Sequence, residues 1–169
     1  MAARIRPITL WRAEVDHQPG MLAQTLEPLA SAGADLQAVM GYRLPGGRGR
    51  AAIEVFPVAG AKSLSAAQAA RLSESGISAL QVEGDNRSGV GYATAKALAG
   101  AGINIDFFLA LVSGSRYTAV IGFESRGDAE RAVPLIKKAT TGLPRARRTR
   151  AVKPARRTAR RPTRKTARR

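Results

Sequence analysis

The segment Gly84-Asp85-Asn86-Arg87-Ser88-Gly89-Val90-Gly91 has the residue types that do chemistry, and its glycine spacing is that of a phosphate-binding loop. Val90 and Gly91 stand where such a loop needs Lys and Ser/Thr, so nothing would reach the phosphates. Gly89-Val90-Gly91 also starts like a dinucleotide fingerprint, but Thr94 occupies the place of its third small residue. Elsewhere the means for catalysis are scarce. His17 is the only histidine and there is no cysteine, which excludes a histidine cluster for zinc, a thiolate nucleophile, a disulfide framework and a shared pair of imidazoles. The acids are scattered, and no nucleophile and base can be paired. The expectation is a binding or regulatory protein, not an enzyme, with no catalytic residue, metal or cofactor.

The elements that hold this segment follow from pattern. Pro7 to Glu14 reads as a strand that stops at the turn cluster Asp16-His17-Gln18-Pro19-Gly20. Met21, Leu22, Thr25, Leu26, Leu29 and Gly33 then recur at helical spacing, giving a helix from Pro19 to about Ala32 that Pro28 should kink or shorten. Residues 35–43 alternate as a half-buried strand, 45–50 form a loop, and 51–58 return as a hairpin strand. An Ala-rich helix over 62–75, ended by Gly76, and a strand over 77–83 complete a βαββαβ order, the split βαβ unit of a ferredoxin-like fold.

The pattern repeats. A shift of 69 superposes Asp16, Gly20, Thr25, Leu29, Ala30, Ala32 and Gly33 on Asp85, Gly89, Thr94, Leu98, Ala99, Ala101 and Gly102, which marks an internal duplication. A two-residue gap then sets Ala52 and Phe56 on Ala119 and Phe123. The second copy has a helix over 88–101, strands over 103–112 and 116–124, and a helix over 128–140. Only six strands are legible where two units need eight. The strand 77–83 is therefore expected to serve both units, and an exposed edge to be covered by a swapped pairing of the halves or by dimerisation.

Asp85-Asn86-Arg87-Ser88-Gly89-Val90, the Ala-rich helix after it and Ala101-Gly102-Ile103-Asn104-Ile105 resemble the ACT domain, whose signature is a strand, an Asn-Arg-Pro-Gly-Val-Leu-like turn, a helix and a Gly-Ile-Asn-Ile strand. Asp16 to Leu22 and Gly33-Ala34-Asp35-Leu36 are similar to the same signature. The resemblance covers residues 7–140 and implies a tandem ACT protein of α+β class. Its two ferredoxin-like repeats span 1–76 and 77–143, share a strand, and are followed by a disordered basic tail at 144–169. It further implies an amino acid or similar small ligand bound between paired domains. The ligand carboxylate suits the positive end of a helix, its ammonium needs acceptors, and glycine lets the backbone come close. Carried over by position, the ligand residues are Asp85, Asn86, Arg87, Ser88, Gly89, Val90 and Asn104 in the second copy, and His17, Gln18, Gly20 and Met21 in the first. Ser88 replaces the usual Pro and offers a capping hydroxyl. Gly91 replaces the usual Leu and leaves room. These departures make the second copy the more polar site and the first the better-packed fold. In the plainer reading Asp16 and Asp85 are turn or capping residues, His17 is an exposed loop residue and Asn104 only starts a strand.

The charge is uneven. Of 28 Lys and Arg, 13 lie in the last 25 residues, which hold no acid, while residues 1–144 are nearly neutral with 15 basic and 12 acidic residues. The pI of about 11.6 thus describes a tail. Its only large apolar residue is Val152, too little to order it. Arg147, Arg148, Arg156, Arg157, Arg160, Arg161, Arg164, Lys165, Arg168 and Arg169 suit DNA or RNA through counterion release, without sequence preference because no aromatic side chain is there to stack on bases. No apolar run approaches a membrane span and the N-terminus lacks a signal-peptide core, so a soluble, cytoplasmic homodimer without membrane contact is expected. The leading functional reading is a non-catalytic amino-acid-binding regulator with a polyanion-binding tail. The alternative is a nucleic-acid-binding protein whose ACT-like body is a dimerisation scaffold.

Overall fold

The computed structural model describes residues 3–46, 49–141 and 143. The tail residues named above and Arg48 lie outside them. Among the described residues the elements run β1 (Arg4–Ile8), β2 (Trp11–Asp16), α1 (Met21–Ser31), β3 (Ala38–Arg43), β4 (Arg50–Phe56), α2 (Ala61–Ala69), β5 (Ser73–Glu74), β6 (Ser78–Asp85), α3 (Val90–Gly100), β7 (Phe107–Ser113), β8 (Arg116–Phe123) and α4 (Arg126–Thr140). They build an α+β fold of two four-stranded antiparallel sheets, ordered β3-β4-β2-β5 and β1-β6-β8-β7.

The strand expected to serve both repeats does not do so: β6 lies only in the second sheet. The segment shared between the repeats is instead the N-terminal one. What reads as a single strand, Pro7 to Glu14, is broken at Thr9-Leu10, so that β1 pairs with β6 of the second repeat while β2 pairs with β4 and β5 of the first. The break lies beside the packing between the repeats. Ile8 and Leu10 are both buried with Ala79 and Val120 in a cluster between the repeats, against Met40, Phe56 and Phe107. Two residues apart, they would share one face of a continuous strand as well, so the break shows in the change of partner strand at Thr9-Leu10 and not in their burial. Pro7 is tolerated because β1 is an edge strand. The swapped pairing thus takes place within one chain, and β1 and the two-residue β5 are the strands missing from the sequence pattern.

Each sheet buries one face under its own helices. Trp11, Leu29, Ile53, Val55, Ala67 and Leu72 form the first core; Leu80, Val82, Leu98, Ile121, Phe123 and Ile136 anchor the second. Side chains of this size contribute about 1.5–3 kcal/mol each when fully buried. The third cluster joins the repeats, and a polar seam runs beside it: the Arg6 guanidinium donates to Gln81 at 2.8 Å and to Gln37 at 2.9 Å, and lies 5.5 Å from the Phe56 ring centre.

Two helix ends differ from expectation. α1 continues past Pro28 to Ser31, because Pro28 removes only one ladder bond while fully buried Leu29 holds the last turn in the core. α2 stops at Ala69 rather than near Gly76, in a turn where Arg71 takes a left-handed φ of 58°. At the start of α4, the Ser125 hydroxyl accepts from the Asp128 N–H at 3.0 Å, a side-chain cap.

Candidate functional site

The two repeats present equivalent turns. Asp16 ends β2 and pairs in register with Arg50, and Asp85 ends β6 and pairs in register with Arg116. The side chains follow: Asp16 and Arg50 form an ion pair at 2.9 Å, Asp85 and Arg116 one at 3.7 Å. These matched pairs place the third strand of the second repeat 66 residues after that of the first, a gap of three rather than two. A one-residue slip would have put Ala52, on one face of β4, against Ala119, on the opposite face of β8.

Both turns lead into a helix through a left-handed glycine, Gly20 at φ 91° and Gly89 at φ 81°, as a side chain there would be strained. Neither helix start has a side-chain cap or an acid in its first turn. Ser88 is exposed and does not cap α3, because the N-cap position belongs to Gly89. The Asn86 N–H donates to the Ser115 carbonyl at 2.7 Å, and the Arg87 guanidinium to the Leu143 carbonyl. Asp85 is tied to Arg116 as Asp16 is to Arg50, and the His17 N–H donates to the Gly49 carbonyl at 2.7 Å as that of Asn86 does to Ser115, so the two turns are held alike.

The cavities beside the turns differ. In the first repeat a cavity of about 260 Å³ is lined by Asp16, His17, Gln18, Met21, Leu22, Tyr42 and Arg43, over a floor from β4. In the second the corresponding space is about 70 Å³ and almost wholly apolar, lined by Val90, Gly91, Thr94, Phe108, Val112 and Tyr117 among others. Of the second-copy ligand residues only Val90 lines it; Asp85, Asn86, Arg87, Ser88, Gly89 and Asn104 do not, and Asn104 is exposed in the loop after α3. Of the first-copy residues His17, Gln18 and Met21 line their cavity, with Gly20 setting the backbone between them. A further cleft of about 370 Å³ lies on the helix side of the same turn, sharing Val15, Asp16 and Met21, and adds Glu14, Gln24, Arg50 and Arg71.

The contrast in size has an identifiable origin. Ala51 pairs with Val15 in the first repeat; in the second Tyr117 pairs with Gly84. The Tyr117 ring lies where a Gly84 side chain would be, 2.7 Å from the position of its Cβ, and fills the space that Ala51 leaves open. Tyr117 is 5% exposed, its hydroxyl has no partner among the described residues, and burial raises its pKa above the usual phenol value.

A polar group missed by the sequence reading sits next to the first cavity. Glu54 is fully buried in β4, accepting a hydrogen bond from the Tyr42 hydroxyl at 2.9 Å and lying 3.5 Å from the Arg12 guanidinium, with its second oxygen unpartnered. Burial and this hydrogen bond push the Tyr42 phenol up to about 12. The available signal was one acid inside the apolar run Ala51-Ala52-Ile53-Glu54-Val55-Phe56.

Two antiparallel sheets with helices on one face each, built from a duplicated strand-turn-helix unit with left-handed glycines at the turns, define a tandem ACT-type ferredoxin-like fold. Solved structures agree. The chain is similar to the regulatory subunit of aspartate kinase from Thermus thermophilus, at a TM-score of 0.56 and 19% identity over 83% of this chain and 97% of that one. It is similar to protein BT0572 from Bacteroides thetaiotaomicron, at a TM-score of 0.64 and 12% identity over 79% of this chain and 89% of that one. The aspartokinase alpha and beta subunits match at a TM-score of 0.56 and 18% identity, over 82% of this chain and 97% of that one. At these identities the likeness is one of fold. No protein-family model matches the sequence, and no curated protein is significantly similar to it.

Proposed function

We propose that this chain is a non-catalytic cytoplasmic regulator that binds an amino acid or a similar small zwitterion, and that the first repeat holds it. The observation behind the reading is the larger cavity at the Asp16–Met21 turn, with Asp16, His17, Gln18 and Arg43 among its walls, set against the small apolar one at the Asp85–Val90 turn. Gln18 and the Asp16 oxygen that does not hold Arg50 offer acceptors for an ammonium, and the uncapped start of α1 offers N–H groups for a carboxylate. The regulatory subunits that share the fold support a regulatory role. Calorimetric titration of the full chain with the proteinogenic amino acids tests it. One of them should bind, and Asp16→Ala should weaken it more than Asn86→Ala, by roughly tenfold for a lost charged hydrogen bond. Silence across the panel removes the reading, and the reverse ranking returns the site to the second repeat.

A homodimer belongs to the same proposal. Three of the four sheet edges carry protection: β1 has Arg4, Arg6 and Pro7, β3 ends in Arg43, and β5 is two residues long. The fourth, β7, has no charge, with Leu111 65% and Val112 58% exposed. Such an edge invites a strand from a second copy. Sedimentation equilibrium should show a dimer that Leu111→Lys splits, and a monomeric wild type would remove the dimer.

The second reading rests on the tail, which holds 13 basic residues and no acid. Deleting residues 145–169 should abolish binding to DNA or RNA while amino-acid binding persists. If about half of those charges contact phosphates, the logarithmic salt slope on duplex DNA is about −6. Nucleic-acid affinity that survives the deletion would refute this role.

A further inference from the structure

Three helices of this chain end in the same backbone turn. After α1 the Gly33 N–H donates to Ala30 and the Ala34 N–H to Leu29; after α3 the Gly102 N–H donates to Ala99 and the Ile103 N–H to Leu98. After α2 the Arg71 N–H donates to Gln68 at 3.0 Å and the Leu72 N–H to Ala67 at 2.8 Å. The pattern requires a left-handed residue at its centre, with φ 74° at Gly33, 67° at Gly102 and 58° at Arg71. Arg71 is the one non-glycine residue with positive φ among those described, so the chain uses glycine at two such turns and a strained arginine at the third.

The third turn opens on the cleft of about 370 Å³ between α1, the end of α2 and the ends of β2 and β4. Its charged residues are Glu14, Asp16, Arg50 and Arg71. Three of these are committed to other groups. Asp16 holds Arg50 at 2.9 Å, Arg50 also donates to the Glu14 carbonyl at 3.1 Å, and the Glu14 carboxylate accepts from Arg12 at 2.8 Å. Arg71 has no ion pair or side-chain hydrogen bond among the described residues. Arg71 is therefore the cleft's one charged group without a side-chain partner among the described residues, a planar fork suited to a carboxylate.

We infer that Arg71 is an anion-recognition residue: it receives the carboxylate of an amino-acid-sized ligand in the cleft between α1 and α2, and its strained backbone is retained for that contact. The inference rests on the reading that the first repeat binds an amino acid; it keeps the ligand beside Asp16, which lines both spaces, and moves its carboxylate from the start of α1 to Arg71 in the helix-side cleft, a residue outside the turn signature. Ala13, Val15, Met21, Ala69 and Ala70 give the cleft an apolar floor for the rest of the ligand.

Two substitutions separate strain from recognition. Arg71→Gly relieves the backbone and removes the charge; Arg71→Ala removes the charge and keeps the strain. On the full-length protein, Arg71→Gly should raise the melting temperature by about 2–6 °C, and both variants should weaken binding of the amino acid that binds the wild type best by roughly tenfold or more. The carboxamide of that amino acid should bind the wild type as weakly as the acid binds Arg71→Ala. Inorganic phosphate, titrated alone, should not compete with it. If the wild type binds an amino acid and both variants bind it equally well, or if acid and amide bind alike, the role of Arg71 is refuted while the ligand-binding reading stands. Competition by phosphate at similar concentration would refute carboxylate selectivity. A wild type that binds no amino acid refutes both.

Discussion

The two repeats share a skeleton and differ in where they put their bulk. Position by position along the ladders, Val15 and Ala51 in the first repeat correspond to Gly84 and Tyr117 in the second. Ala38 and Phe56 correspond to Phe107 and Gly122, with the aromatic ring moved to the opposite strand. Glu54, buried beside Tyr42 and Arg12, corresponds to Val120, and Arg43 at the cavity mouth to Val112. Paired residues exchange size across a ladder, so each sheet stays packed while the space beside its turn changes. A duplicated unit can thus keep one open polar cleft and turn its twin into core, using only substitutions that leave the register intact.

The largest test of this contrast is Tyr117→Ala, which gives the second repeat the residue of the first. Removing a buried ring over Gly84 leaves a cavity, and the loss of stability should be about 3–5 kcal/mol, read as a fall in the denaturant midpoint with unchanged slope. Ala51→Gly, at the matching position, should be far milder. Comparable losses at both sites would mean that the repeats are packed alike.

A smaller effect is expected at the exchanged aromatic pair. A Cβ on Gly122 would lie 2.3 Å from Cε1 of Phe107 and 2.8 Å from Cγ2 of Ile77, so Gly122→Ala must displace a ring between the repeats and should destabilise by about 1–3 kcal/mol. The double variant Gly122→Ala with Phe107→Ala should recover part of the loss, since the clash is with that ring; additive losses in this cycle would place the strain elsewhere. Gly41, on β3, has only the tip of Leu22 at 3.9 Å and serves as the tolerant control.

Much of this was legible in the sequence because it depends on local periodicity and turn chemistry. The duplicated Asp, Gly and Thr positions found both turns, and the α+β class followed from the element order. The N-terminal swap was not legible. Pro7 to Glu14 alternates well enough for one strand, and only the change of partner, from β6 for β1 to β4 and β5 for β2, shows the break at Thr9. The three-residue gap was hidden for a similar reason, since two chance identities at Ala119 and Phe123 outweigh a face that only pairing reveals. The polar character of the first site was underestimated because Arg50, Tyr42 and Glu54 come from β3 and β4, far in sequence from the turn they face. Conversely, Asn86 and Asn104 carry ligand-type side chains, but neither lines the cavity beside the second turn, whose walls are Tyr117 and mostly apolar side chains.

The smallest effect tests the buried acid that sets the first repeat apart. Tyr42 donates to Glu54, and burial together with that bond raises its phenol from 10.0 to about 12. A raised folded value means that the fold favours the neutral, donating phenol. The contribution to stability is therefore complete below pH 10 and is lost as pH rises from there towards about 12. Tyr42 is 38% exposed, so solvent screening discounts the effect, and Tyr42→Phe should lower stability near neutrality by about 1 kcal/mol or less. The variant should also lose the Tyr42 share of the alkaline decline, keeping that of Tyr117, whose buried phenol is raised too, so that the two stability curves converge as pH approaches 12. Tyr92, 71% exposed in the second repeat with Lys96 near its ring, supplies the control: Tyr92→Phe should leave the alkaline decline in place. Parallel curves for wild type and Tyr42→Phe up to that pH would show that the phenol is not held by Glu54, and the polar distinction between the repeats would then rest on the Asp16 turn alone.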